Sequence, residues 1–401
     1  MARVLAGAAR PDRLCVAVSG GSDSLALLAL TCDWAGPDVA IEAVTVDHGL
    51  RDGSAEEARD VAEEARALGA THQILRWDGW DGGGNLQAEA RNARRRLITE
   101  HCAARGIEAV LLGHTRDDQA ETVLMRLARG SGVDGLAAMS AGRFRKTLFL
   151  RPLVGETRDQ LRGYLTARGM VWAEDPSNED PRYERVRVRR AMAELGLDVT
   201  RLAETARAMA RARIALETRA QDVAQAIVTE ENGIVIFAAG ALRETEEDTR
   251  LRLVAHALKY LSSAPYRPRL QALGATLAAA LAGQGGTLHG CRLIPYRDRL
   301  LICREYQAVA GLDLAAADGV WWDNRWQITA PDLPGARIRA LGAEGLKQMP
   351  RVEGVPQGAL MSLPGVWQGD KLCAVPGLLN DNLVICRHAP SASFHQTILS
   401  H

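Results

Sequence analysis

The chain contains no run of about 18 consecutive apolar residues and no signal-peptide pattern, so a membrane partner is not expected and a cytoplasmic location is. Its seven cysteines (15, 32, 102, 291, 303, 373 and 386) include no C-x-x-C pair. That pattern suggests neither a disulfide framework nor a zinc site, and most of the cysteines read as small buried hydrophobes. Net charge is also lacking: 49 basic residues balance 49 acidic ones. Any contact with nucleic acid must therefore come from a local stripe. Such a stripe lies between Arg182 and Arg219, where ten arginines (182, 185, 187, 189, 190, 201, 207, 211, 213 and 219) stand against five acids (184, 194, 198, 204 and 217). Only four lysines occur in the chain, so arginine is its habitual cation, and both a phosphate contact and a solvated helix face remain open.

What is present is ordinary for a soluble globular protein: 401 residues, 47% apolar and 24% charged, enough for roughly two to three domains. The most informative stretch is Ser19-Gly20-Gly21-Ser22-Asp23-Ser24, between the apolar run Leu14 to Val18 and the Leu/Ala segment from Leu25. The pattern predicts a strand, a tight loop and a helix. Backbone N–H groups at such a helix start favour an anion, and phosphate is the natural candidate. No Gly-Lys-Ser/Thr closes the loop, so it is not a P-loop, and its glycine spacing is not that of a dinucleotide fingerprint. A plain Gly/Ser turn with Asp23 or Ser24 as N-cap is the alternative. The order Ser-Gly-Gly-x-Asp-Ser resembles the pyrophosphate loop of the N-type ATP pyrophosphatases. That resemblance implies ATP as cofactor, bound by Ser19, Gly20, Gly21, Ser22, Asp23 and Ser24, with Asp23 holding Mg2+.

The first 150 or so residues alternate strand and helix: strands at Val39–Val46, His72–Leu75 and Ile107–Leu112, helices at Ala55–Leu68, Leu86–Ala104 and Asp117–Arg129. This predicts a doubly wound α/β domain with a parallel sheet, which binds ligands at the carboxyl ends of its strands. Three polar ends would converge there: Ser19-Gly20-Gly21, Asp47-His48-Gly49-Leu50-Arg51, and Gly113-His114-Thr115-Arg116-Asp117-Asp118. Helical segments at Val199–Gln221, Glu244–Tyr260 and Arg269–Ala282 and a hairpin pair over Gly286–Arg304 follow. Beyond a boundary near Ala308–Gly319, short strands at Trp321–Thr329 and Leu372–Val375 and one helix near Ala343–Met349 suggest a small mixed β domain. The expected domains are 1–200, catalytic; 201–308, mainly helical; and 309–401, small and C-terminal.

Asp118 and Glu121 lie three apart and share one helix face, which places both at the mouth of the crevice, able to hold an ammonium group or a metal. Two acids in the first turn of a helix are also common for their effect on its dipole. Several blocks together resemble the tRNA(Ile)-lysidine synthetase family: Ser19–Ser24, Asp47–Arg51, Asp118–Thr122, Arg126-Leu127-Ala128-Arg129-Gly130-Ser131-Gly132, Arg151-Pro152-Leu153, and Trp172–Asn178 before Tyr183 and Arg185. The C-terminal Leu346-Lys347, Val355-Pro356, Leu363-Pro364, Gly369-Asp370 and Val375-Pro376-Gly377 resemble its last domain.

The resemblance implies an ATP-pyrophosphatase (adenine nucleotide alpha hydrolase-like) catalytic domain. It further implies a ligase that adenylates C2 of the wobble cytidine in CAU-anticodon tRNA(Ile) and lets free L-lysine displace AMP. Carried over by motif, Asp23, Asp118, Glu121 and Arg94 are catalytic, and Asp118 and Glu121 hold the lysine. Val46, Gly113 and His114 add to the nucleotide site, and Arg91, Arg126, Arg129, Arg185 and Arg189 meet the tRNA. A homodimer is the expected assembly. The chain departs from the family pattern at Thr45, Thr115 and Val186, and it lacks an arginine in Gln357–Ser362. A tRNA thiolase on the same scaffold is the alternative, disfavoured by isolated cysteines in apolar surroundings. A non-catalytic RNA-binding protein would be expected to carry a damaged loop, and this one is complete.

Overall fold

A computed structural model describes residues 11–49, 54–77, 86–144, 147–174, 180–264, 266–330, 333–388 and 393–399. Leu50-Arg51 and Asp175–Asn178, parts of two blocks quoted above, lie outside the described residues. The chain forms two compact units, Met1–Arg213 and Ile214–Ser400.

In the first unit the order is β1 (Arg13–Ala17), α1 (Ser22–Ala35), β2 (Ala40–Asp47), α2 (Ser54–Ala67), β3 (Thr71–Arg76), α3 (Leu86–Arg105), β4 (Ala109–Leu112), α4 (Arg116–Leu127), α5 (Val133–Leu136), β5 (Gly142–Phe144), β6 (Thr147–Leu150), α6 (Arg158–Ala167), α7 (Glu184–Glu194) and the start of α8 (Val199–Ile227). The sheet runs β3-β2-β1-β4-β6-β5, parallel throughout except for the antiparallel edge strand β5. The doubly wound parallel sheet expected from the alternation is thus present, and β5, β6, α6 and α7 are additions the periodicity did not show. β1 is central, and Leu14, Cys15 and Val16 are fully buried because helices cover both of its faces. Leu14 and Val16 pack with α1 residues Leu25, Leu27 and Leu28, whereas Cys15 packs with Ile98 and Cys102 of α3.

In the second unit α8 leads into β7 (Val228–Glu231), β8 (Ile234–Ala238), α9 (Ala239–Glu244), α10 (Glu247–Ser262), α11 (Leu270–Leu281), β9 (Gly286–Leu288), β10 (Cys291–Tyr296) and β11 (Arg299–Arg304). Then come β12 (Asp313–Ala315), β13 (Val320–Trp322), β14 (Trp326–Thr329), β15 (Arg337–Ala340), α12 (Gly342–Gln348), α13 (Gln357–Leu360), β16 (Pro364–Gln368), β17 (Lys371–Ala374) and β18 (Ile385–His388). The five-stranded sheet β7-β8-β11-β10-β9 divides two cores by strand alternation. Val235, Phe237, Leu300 and Ile302 face α8, α10 and α11, while Ile234, Ile236, Leu301 and Cys303 face the β-rich remainder.

The helix expected over Val199–Gln221 is present as α8, and the strands β7 and β8 lie in the stretch between it and the next expected helix, which the sequence left unassigned. Trp321–Thr329, read as one strand, is a hairpin: Asp323 and Asn324 adopt φ of 51° and 53° between β13 and β14. Phe394 and Ile398, far along the chain, return to the core of α8 and α10.

Candidate active site

The first unit carries a crevice of about 1280 Å³ at the carboxyl ends of its strands. The predicted residues Ser19, Gly21, Ser22, Asp23, Ser24, Val46, Gly113, His114, Asp118, Arg94, Arg185 and Arg189 line it. The loop after β1 is held from within. The Ser24 hydroxyl receives the Ser19 amide at 3.1 Å and donates to the Gly21 carbonyl at 3.0 Å. Gly21 occupies the N-cap of α1 with no side-chain cap, so the first-turn amides are left for a ligand. Gly20 lies behind the lining at φ 85°, where its carbonyl receives the Ala173 amide at 3.0 Å. At Gly113 a Cβ would stand 3.0 Å from the backbone of Asp23 and Ser24, so only glycine lets the end of β4 press against the first turn of α1. These features fit a polyphosphate.

Opposite the loop, α4 opens with a reciprocal cap. The Asp118 Oδ2 atom accepts the Thr115 amide at 2.8 Å and its hydroxyl at 3.0 Å, leaving Oδ1 toward the crevice. Thr115, a departure from the family pattern, is thus the residue that orients Asp118. Burial works against the Asp118 charge, but the Thr115 amide and the Arg158 charge outweigh it and hold its carboxyl below the usual range. Burial pushes the Asp23 carboxyl up, and Arg158 only partly offsets it.

Glu121 does not stand at the mouth as its spacing suggested. Nearly one turn further along α4, it is 1% exposed, because Arg158, Arg185 and Arg189 from α6 and α7 close over its carboxylate. Its Oε1 accepts from Arg189 Nε at 2.5 Å, and its Oε2 has no hydrogen-bond partner. Arg185 Nε lies 4.0 Å from that oxygen. Arg185 and Arg189 reach the same carboxylate because they are four apart on α7, while Val186 between them is buried.

His114 is held neutral. Burial and the Arg151 charge push its pKa down to about 3, and its Nδ1 accepts from Arg151 Nε at 3.1 Å. Its Nε2 therefore carries the proton. Next to it is a pocket of about 350 Å³ lined by Arg91, Arg94, Arg95, Arg151 and Arg185, with His48. Two predicted arginines lie elsewhere. Arg126 donates to the carbonyls of Gly135 at 2.7 Å and Ala138 at 2.9 Å, and Arg129 pairs with Glu184.

Sequence reasoning missed Arg158, whose Nε lies 3.1 Å from Asp23 Oδ2, Nη2 3.5 Å from Asp118 Oδ1 and Nη1 3.7 Å from Glu121 Oε1. No motif signalled it; α6 carries it in from 40 residues downstream of Asp118. Arg151, also missed as a site residue, stood in the quoted Arg-Pro-Leu block.

A mainly parallel α/β sheet whose first strand feeds a Ser-Gly-Gly-x-Asp-Ser loop at a helix start defines a PP-loop protein, and the PP-loop domain family matches residues 2–195. The tRNA(Ile)-lysidine synthase of Ruegeria pomeroyi is 43% identical over 98% of this chain and 95% of its own length. That of Wolbachia pipientis wMel is 32% identical over 94% of this chain and 92% of its own. The chain belongs to the tRNA(Ile)-lysidine synthase family. Among solved structures, a U34-tRNA thiolase of Methanococcus maripaludis with a 4Fe-4S cluster is 17% identical over 52% of this chain and 76% of its own, with a TM-score of 0.45. A likeness of that size carries no argument about function.

Proposed function

We propose that this protein ligates free L-lysine to C2 of the wobble cytidine of CAU-anticodon tRNA(Ile), converting ATP to AMP and pyrophosphate. The observation that carries the reading is one crevice lined by both a phosphate cradle and the Asp118 carboxylate, with a second carboxylate, Glu121, buried next to Asp118 on α4. Asp23 belongs to the cradle, and Arg158 lies within 3.1–3.7 Å of Asp23, Asp118 and Glu121. The loop amides and the α1 dipole would hold the pyrophosphate that leaves when the cytidine is adenylated. The His114 Nε2–H is a neutral donor on the same wall. The amine of lysine then attacks C2, AMP departs and the amine loses a proton, leaving a C–N bond.

Among the described residues no cluster of three or more metal-binding side chains exists. A magnesium ion carried on ATP needs only one or two carboxylates, and Asp23 fits that demand. When bound, it would neutralise phosphate charge as the leaving group departs. Glu121 Oε2, buried and without a hydrogen-bond partner, is an acceptor that an ammonium N–H would satisfy. The arginine pocket around Arg91, Arg94 and Arg185 suits RNA phosphate. Arg189 would contact RNA from the crevice wall, and Arg126 and Arg129 would shape the segment after α4. No described helix is long and apolar enough to cross a membrane; a cytoplasmic site of action and a homodimer belong to the proposal. The decisive test incubates the protein with ATP, labelled lysine and unmodified tRNA(Ile) transcript. Incorporation that depends on the wobble cytidine is expected, and ATP turnover coupled to sulfur transfer would overturn the reading.

A further inference from the structure

Arg158 belongs to none of the motifs, yet its three guanidinium nitrogens face three carboxylates. Nε approaches Asp23, Nη2 Asp118 and Nη1 Glu121, at 3.1, 3.5 and 3.7 Å. Its base is rigid. Thr157 and Gln160 form a reciprocal cap on α6, the Arg158 amide donates to Asp117 Oδ2 at 2.8 Å, and the Arg116 amide donates to the Glu156 carbonyl at 2.8 Å. The start of α6 is thereby bound to the start of α4, and the guanidinium is delivered to one place. Its side chain is 19% exposed, so the charges it meets are little screened by water.

We infer that Arg158 is a resident counter-cation, occupying in the free protein the place among Asp118 and Glu121 that the substrate's ammonium group takes. The inference rests on the ligase reading above and adds how the acidic site is maintained before substrate arrives. Three carboxylates in a half-closed crevice repel one another unless a cation lies among them. A guanidinium with separate N–H directions can serve all three at once, which a compact ammonium cannot. Only the Asp23 contact is at good hydrogen-bond length. The contacts to Asp118 and Glu121 are looser ion pairs, the ones a better-placed donor would replace. Glu121 Oε2 is left without a hydrogen bond even with Arg158 present. Arg158 is a positioning residue in this account, and lysine must displace it to bind.

The test is equilibrium dialysis of labelled lysine against the full-length protein, with and without unmodified tRNA(Ile) transcript. Removing the resident cation leaves Asp23 and Asp118 without an ion-pair partner among the described residues, while Glu121 keeps Arg189 and Arg185, so Arg158→Gln is expected to bind lysine about tenfold more tightly. Guanidinium added below denaturing concentration should return that variant to wild-type affinity. Arg158→Lys, whose ammonium reaches fewer of the carboxylates, should fall between the two. Unchanged or weaker lysine binding by a folded Arg158→Gln protein, with ATP affinity lost instead, would overturn the inference and put Arg158 on the phosphates. If melting curves show Arg158→Gln to be unfolded, Arg158→Lys decides alone, and unchanged or weaker binding overturns the idea. Wild-type protein that takes up no lysine in the presence of ATP and transcript would instead refute the ligase reading, and this inference with it.

Discussion

On the proposed reading Asp23 serves the nucleotide and Glu121 the lysine, so their substitution should separate the two halves of the reaction. Asp23 is part of the proposed phosphate loop, so Asp23→Ala is expected to lower pyrophosphate release by about 100-fold or more, the cost of removing one electrostatic group from a developing charge. Labelled ATP read out as pyrophosphate checks this. Glu121 is buried behind Asp118 and reached by Arg158, Arg185 and Arg189. Glu121→Gln keeps its volume and should leave adenylate formation intact while raising the lysine KM; equal loss of both steps would refute the assignment. Both residues were visible in sequence motifs. Glu121's depth was not, because a three-residue spacing says which face two residues share but not how far that face dips below the surface.

At the level of elements, caps and buried ion pairs determine what stays in place. Thr115 caps α4 and holds Asp118 Oδ2 with both its amide and its hydroxyl. Thr115→Val keeps the shape and loses the hydroxyl, and a melting experiment should show about 1 kcal/mol lost. Lysine KM should rise as well, because Asp118 is no longer aimed. In the second unit Asp323, in the turn between β13 and β14, accepts from the partly buried Arg304 at 3.0 Å and lies 3.9 Å from the fully buried Arg325. Asp323→Ala would leave the buried Arg325 guanidinium without its carboxylate and should cost about 3 kcal/mol in a denaturant titration. The helix and strand starts around the crevice were legible from apolar period and glycines. α6 and α7 were not: no motif marked Arg158, and the α7 arginines stood open between a phosphate contact and a solvated face until the fold brought Arg185 and Arg189 onto Glu121.

For the whole molecule, the chain's return near its end links distant segments. Phe394 is fully buried against α8 and α10, its amide donates to Glu230 at 3.1 Å, and His256 lies 3.0 Å from the Thr397 hydroxyl. Deleting 309–401 to test its contribution to tRNA binding would therefore strip the core of 214–308, and the truncated protein should lose its cooperative melting transition. The same cluster sets an acid limit. Burial lowers the His256 pKa to about 3, against 6.5 when exposed. Above the exposed value both folded and unfolded states hold it neutral. As pH falls from there toward 3, the unfolded state gains the proton first and stability drops, by at most about 1.4 kcal/mol for each pH step of one between the two values. His256→Gln should flatten that part of a stability-against-pH curve, and an unchanged slope would assign the acid sensitivity elsewhere.

The linear order of residues was enough for the parallel α/β scaffold, the phosphate loop and the identity of Asp23, Asp118 and Glu121. The scaffold rests on local periodicity and the loop on glycines whose backbone freedom is written in the chain; the three acids were picked out by their resemblance to the family's motifs. The cation that sits among those acids, the depth of Glu121, the strands within the helical region and the closing of the second core by Phe394 came from folding alone. Arg158 meets Asp118 across 40 residues and Phe394 meets Glu230 across 164, contacts decided by which faces pack together and not by neighbouring residues.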